Sequence, residues 1–230
     1  MESIPHIHNR ISIQVSLSGY SFKVESPTGE STLSPWLGAE TLFTTPQLQR
    51  RYEAVEISLL TPKVTLVPEH FFNPAAARMT LGDVVNLREG DSVEWVPFPS
   101  FGAVVLYSNS LDESLSKVIS QTVLTTSGEK AQVLPEMYYI LRDLYECKEY
   151  NKIVASWQDS YLHLGLAQGK SLLLSNVYYA PDFVTAEYFI FLALRKLQFN
   201  PEMSTIFFRT PLSEESEMSL YRYFRSVERI

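Results

Sequence analysis

The residues with the most chemical reach in this chain are few and scattered. Gly165-Leu-Ala-Gln-Gly169-Lys170-Ser171 looks like the end of a phosphate-binding loop, in which glycine N–H groups and a lysine cradle phosphates. That loop needs four residues between its glycines and a strand-to-helix setting. Here three intervene within a hairpin pattern, so Lys170 is read as a turn lysine. His6-x-His8 could chelate a metal at an extended start, but no third ligand is indicated. His163 alternates with Leu162 and Leu164, and His70 lies beside Phe71 and Phe72; both read as structural. No Gly-x-Ser-x-Gly elbow exists, and nothing orders a Ser, a His and an Asp into a nucleophilic set. Glu214-Glu215 stands at a predicted helix start, where capping and the helix dipole explain it. Cys147 sits in a helical pattern and reads as a small half-buried side chain. Arg222, Arg225 and Arg229 are expected on one face of a final helix near Tyr221 and Tyr223. A solvated face is the simplest reading; a docking patch for an acidic partner or RNA is the functional one. No catalytic residue and no metal ligand set emerges.

Composition narrows the classes. The 230 residues are 45% hydrophobic and 20% charged, with a formal net charge of −7. That much apolar side chain excludes an intrinsically disordered chain. An acidic balance argues against a general nucleic-acid or anionic-membrane binder, since phosphate affinity rests on Lys and Arg. One cysteine excludes an internal disulfide framework. The first ten residues lack the apolar core of a secretory signal. The densest apolar run, Ala186 to Leu194, falls far short of the roughly 20 residues of a membrane span. A soluble, cytoplasmic protein with no membrane span is expected.

The elements that position these residues follow from periodicity. Ile11, Ile13, Val15 and Leu17 alternate with polar residues, as do Tyr20, Phe22 and Val24, which predicts a β-hairpin turning at Ser18-Gly19. A turn at 27–29 leads to a third strand near 32–37, a helical segment near 46–52, and strands near 55–60 and 63–67. A short helix is expected between Phe71 and Gly82, with strands at 93–96 and 103–107. Ser110 and Glu113 form a capping box for a helix with Leu111, Leu115, Val118 and Ile119 on its stripe. A strand at 122–125 and a helix over 134–145 follow, and polar residues 148–151 mark a boundary. Beyond it come strands 153–157, 162–166 and 171–179, a well-buried helix from Pro181 to about Phe199, a strand at 204–209, and a last helix opened by Ser213. The β-β-β-α-β-α order after residue 153 is the ribonuclease-H-like order. The first half repeats its opening. The predicted class is α/β, with two ribonuclease-H-like lobes in mixed sheets flanked by helices: 1–150, carrying an inserted hairpin region, and 151–230.

The opening Arg10-Ile-Ser-Ile-Gln-Val-Ser-Leu-Ser-Gly-Tyr-Ser-Phe-Lys-Val24 resembles the start of a bacterial family of uncharacterised proteins with an actin-like ATPase fold. Val104 to Leu106 leading into the capped helix, and the lobe beginning at Lys152, extend the resemblance along nearly the whole chain. It implies a two-lobed actin-like arrangement and brings no established activity. Actin-like ATPases hold phosphate between the first hairpin turns of their lobes, using glycines and strand-end acids that hold Mg²⁺ through water. By that resemblance the phosphate-turn positions are Ser16, Ser18 and Gly19 in lobe one, and Asp159 and Ser160 in lobe two. The match is poor. Ser16 stands where Asp is wanted, Trp157 where a small residue is wanted, and Arg209-Thr210-Pro211-Leu212 replaces a glycine-rich adenosine loop.

The expectation is therefore a non-catalytic actin-like protein without a cofactor, acting through an unknown protein partner, a second copy of the chain among the candidates. The alternative is a nucleotide-binding protein or ATPase using atypical turns, with ATP and Mg as cofactors. A nucleic-acid module is disfavoured, because lobe two lacks a cluster of strand-end carboxylates.

Overall fold

The computed structural model describes residues 9–26, 28–109 and 115–230. The period-2 segments become strands. β1 (Arg10–Ser16) and β2 (Gly19–Glu25) form the opening hairpin, with Ser16 opposite Gly19. β3 (Ser31–Leu33) stops short of the expected 32–37, with Leu37 keeping only a bridge to Tyr20. Residues 46–49 make a 3₁₀ turn begun by Pro46. β4 (Ala54–Leu59), β5 (Val64–Pro68), α1 (Ala77–Gly82), β6 (Glu94–Phe98) and β7 (Ala103–Tyr107) come next. α2 (Leu115–Thr122) carries the expected Leu115, Val118 and Ile119. The capping residues Ser110 and Glu113, together with Leu111, lie outside the described residues, as do His6, His8 and Pro27. Then follow β8 (Val133–Pro135), α3 (Glu136–Glu146), β9 (Asn151–Gln158), β10 (Tyr161–Gln168), β11 (Ser171–Tyr179), α4 (Phe183–Lys196), β12 (Thr205–Phe208), α5 (Glu214–Tyr221) and β13 (Ser226–Arg229).

Three expectations are corrected. Residues 122–125 are not a strand: α2 runs through Thr122, and only bridges at Leu124 and Thr125 remain. The last helix ends at Tyr221, so Arg222, Arg225 and Arg229 share no helical face. Arg222 caps that helix, and the Arg225 guanidinium donates to Glu149 at 2.7 Å. Arg229 closes β13, whose Val227 is buried. Parallel pairing of β13 with β12 outweighs continued helix there. Finally, α4 buries one side only: Ala186, Ile190, Ala193 and Leu194 face the core, while Val184 and Tyr188 stay exposed.

The sheets repeat each other. One has the order β3-β2-β1-β4-β8, the other β11-β10-β9-β12-β13. In each, the first strand is antiparallel to the second and parallel to the fourth. This is the ribonuclease-H-like order twice over, in α/β mixed sheets. A third, small antiparallel sheet has the order β5-β7-β6.

Packing groups Met1–Leu59 with Asp112–Leu134 as one compact unit, and Leu60–Leu111 with Pro135–Ile230 as another. In the first, Ile11, Ile13, Val15, Tyr20, Phe22 and Ile57 pack with Leu115 and Ile119 of α2. In the second, both faces of the sheet are covered. Ile153, Ala155, Leu162, Leu164 and Leu166 meet Ala186, Ile190 and Leu194 of α4. Val154 and Ala167, pointing the other way, meet Met137, Ile140, Leu141 and Leu144 of α3 and Val105 of the small sheet. Gly165 lies under α3, and a Cβ there would stand 2.6 Å from Ile140 Cγ2 and 2.7 Å from Leu144 Cδ1. Its missing side chain sets how closely helix and sheet approach. The small sheet and α3 thus share a core with β9 and β10.

Candidate functional site

The first hairpin turn gathers Ser16, Ser18 and Gly19. Ser16 is buried at the end of β1, and its Oγ lies 3.4 Å from Ser18 Oγ. Ser18 also accepts from the Trp36 indole N–H at 3.0 Å. Gly19 has φ +149, and a Cβ there would stand 2.0 Å from the Leu37 carbonyl oxygen. The backbone of Leu37 is drawn in by paired bonds with Tyr20, of 2.9 and 2.8 Å. The close passage of that chain requires glycine at 19.

The second turn brings Asp159 and Ser160 together as the two-residue link of the β9–β10 hairpin, with φ of 51 and 65. Both φ values are left-handed, the geometry that suits the twist of two-residue hairpins and normally draws Asn or Gly. Asp159 Oδ1 accepts from the Gln158 amide at 3.2 Å. The Ser160 carbonyl accepts from Ala180 N–H at 2.7 Å. Trp157, beside this turn, donates its indole N–H to Ala180 O at 2.9 Å and meets the Phe183 ring edge-on. The 209–212 segment is fastened to the same strand. The fully buried Thr210 hydroxyl accepts from Trp157 N–H at 2.9 Å and donates to Trp157 O at 3.2 Å.

Below that segment lies an ionic cluster that no sequence pattern announced. Arg209 Nε donates to Glu136 Oε1 at 2.8 Å, and its Nη1 donates to Asp143. Ser156 Oγ donates to the same Glu136 oxygen at 2.5 Å. The guanidinium also sits 5.4 Å from the centre of the Tyr139 ring. Glu136 and Asp143 are seven residues apart on α3, two turns of one helical face, and Glu136 opens the helix where the dipole favours a carboxylate. The i, i+7 spacing was the one available signal; Arg209 is 73 residues away from Glu136 in sequence. Burial acts to lower the Arg209 pKa, but the two carboxylates overcome it and hold the value above that of a free arginine. His163, opposite Ser156 in the register, is fully buried, its Nε2 2.9 Å from Thr61 O and its Nδ1 without a partner. Burial pushes its pKa down, against the opposing pull of the Thr61 carbonyl and Glu136. A neutral imidazole donating from Nε2 fits this site.

The cluster's Ser156, Glu136 and His163 have no exposed surface. A serine, a histidine and a glutamate are close together here, but enclosed where no substrate reaches. Ser156 and Arg209 tie α3 to β9 and to the end of β12, while His163 holds β10 to the Thr61 carbonyl. Among the described residues no three His, Cys, Asp or Glu side chains gather as metal ligands would. Among the same residues no helix is long and apolar enough to cross a membrane.

The architecture is similar to that of several solved structures. A Bacteroides thetaiotaomicron protein with an actin-like ATPase fold and unknown function matches at TM-score 0.67 and 16% identity, over 97% of this chain and 91% of that one. The PilM–PilN type IV pilus biogenesis complex matches at TM-score 0.53 and 12% identity, over 98% and 89%. The cytoplasmic domain of EpsL, an inner membrane component of the Vibrio cholerae type II secretion system, matches at TM-score 0.50 and 15% identity, over 90% and 84%. At these identities the likeness establishes the fold, an actin-like ATPase fold. No curated protein matches the chain in sequence. Residues 7–227 match a family described as proteins of unknown function, DUF3822, and the chain belongs to that family.

Proposed function

We propose that this chain is a non-catalytic protein of actin-like fold that acts through protein–protein contacts. One observation carries the reading: the turn and loop positions that serve phosphate in active relatives are committed here to internal bonds. Gly19 makes room for Leu37, Ser18 takes the Trp36 indole, and Thr210 is stitched to both backbone groups of Trp157. A phosphate cradle needs backbone N–H groups turned outward on small residues. The matching strand orders of the two large sheets support a duplicated ribonuclease-H-like unit, lobes 1–150 and 151–230, in which the topology persists without the phosphate chemistry. PilM occurs in a complex with PilN, and EpsL is a component of a secretion system, so the fold has binding uses. Carrying that use to this chain is analogy at the level of fold.

Titration calorimetry and thermal shift of the intact chain with Mg-ATP test the reading. No heat of binding and no rise in melting midpoint are expected. A stabilisation by Mg-ATP that is lost in both Ser16→Ala and Asp159→Ala would overturn it and support the nucleotide-binding alternative.

A further inference from the structure

We propose that β11 is a pairing edge for a second copy of this chain, the two β11 strands joining antiparallel about a two-fold axis into one continuous sheet. The proposal does not depend on whether the chain binds nucleotide.

The argument begins with how the edges are built. An unpaired edge strand templates association, and proteins blunt such edges with short length, proline or charge. Among the described residues, five of the six sheet edges follow that rule. β3 and β8 have three residues each, and β8 ends in Pro135. β13 has four and contains Glu228 and Arg229. β5 ends in Pro68, and β6 contains Glu94 and Pro97. β11 breaks it. It runs nine residues, Ser-Leu-Leu-Leu-Ser-Asn-Val-Tyr-Tyr, without a charge, a proline or a glycine. Among the described residues its only ladder partner is β10. β5 packs near it, with Val64 in the core that Leu172 and Val177 join, but no described residue completes its outer row of backbone hydrogen bonds. Leu173 and Tyr179 stand exposed along it.

Charge identifies the occupant. In a two-fold antiparallel pair a strand meets its own reverse, and like charges set opposite one another destabilise. A chain of net charge −7 repels its copy over most surfaces, yet this strand presents no charge to its double. Just outside the strand, exposed Lys170 precedes it and exposed Asp182 follows it. Antiparallel pairing brings Lys170 of each copy toward Asp182 of the other, two attractive contacts created by the symmetry. The same symmetry leaves both copies' α4 on one side of the joint sheet. There Tyr178 stacks on Phe189 with ring centres 4.6 Å apart, and the exposed Tyr188 ring lies beside it at 5.4 Å. That aromatic surface flanks the seam, and pairing would cover it.

Sedimentation velocity of the intact chain over a wide concentration range should show mass rising from 26.3 kDa to twice that value. Hydrogen exchange should slow at alternate β11 amides as the dimer forms. Two variants at exposed positions, Leu173→Lys with Asn176→Lys and Leu173→Glu with Asn176→Glu, should each stay monomeric, and a mixture of the two should dimerise again. That rescue cannot come from misfolded chains. A wild-type chain monomeric at every concentration overturns the proposal. So does a dimer that leaves β11 amides exchanging freely, a dimer that persists in either charged variant, or a mixture that fails to associate.

Discussion

Replacing Arg209 by Met isolates the buried ionic cluster. Glu136 has no exposed surface, and the Arg209 side chain is 9% exposed, so neither charge has much water to fall back on. At an effective dielectric near 20, a unit charge pair about 4 Å apart attracts by ~4 kcal/mol. The desolvation of each ion, several kcal/mol, offsets much of that gain in the intact protein. Removing one partner is different: it keeps the cost of the other charge and loses the attraction, a loss of about 3–5 kcal/mol. Arg209→Met should therefore destabilise by ~3–5 kcal/mol, lowering the melting midpoint by ~6–20 °C at the roughly 2–4 °C per kcal/mol of a chain this size. Glu136→Leu alone leaves Arg209 with Asp143 and strands the Ser156 hydroxyl, so about 2–4 kcal/mol is expected. The double variant removes both charges and should lose clearly less than the sum, with a coupling of at least ~2 kcal/mol. Urea unfolding of the four proteins, followed by circular dichroism, closes the cycle. Additive single effects, or an Arg209→Met loss below ~1 kcal/mol, would refute the reasoning, because a solvated pair behaves that way.

Gly165→Ala should destabilise by about 1–3 kcal/mol, since the new methyl overlaps Ile140 and Leu144 on α3; thermal unfolding measures it, and an unchanged midpoint would mean that the helix is free to move off the sheet. Gln198 occupies the left-handed position after α4 (φ 58), inside a pair of closing bonds from Phe199 N–H to Leu194 O and from Gln198 N–H to Arg195 O. Glycine is the residue that position favours, so Gln198→Gly should raise stability by ~0.5–1 kcal/mol in the same assay. His163 has a lowered pKa when folded, so the unfolded chain takes up its proton first as pH falls. Its contribution to stability is whole above the ordinary histidine pKa of about 6.5 and is lost below it, by up to ~1.4 kcal/mol per pH unit. His163→Gln should flatten that acid limb, and parallel slopes for the two proteins would count against a buried neutral imidazole.

Alternation of apolar and polar residues carried most of the fold. The hairpin from Ile11 to Val24 and the three strands from 153 to 179 stand where their period places them, because each side chain's burial is decided by its own strand. β13 was missed for the opposite reason. Ser226-Val-Glu-Arg is too short to show a period, and it is a strand only because β12 lies alongside it. Arg209 with Glu136 is equally non-local, a pairing across 73 residues whose one local trace is the i, i+7 spacing of Glu136 and Asp143 on α3. Glycine carries two meanings that composition alone does not separate. Gly19 sits where a phosphate turn would want it, and yet a carbonyl oxygen 2.0 Å from its absent Cβ accounts for it without phosphate. The second lobe makes the comparison sharper. Its matching hairpin turns through Asp159 and Ser160, two non-glycine residues held at positive φ, whereas the first ends in Gly19 against Leu37. The two sheets keep one strand order while their first turns solve the same reversal with different chemistry. Topology depends on burying alternate side chains, and many sequences do that. Phosphate binding depends on particular backbone N–H groups, and both turns would have to keep them. These two turns share their place in the strand order and not the geometry of the reversal, so the fold is legible from alternation while the proposed function rests on the turns themselves.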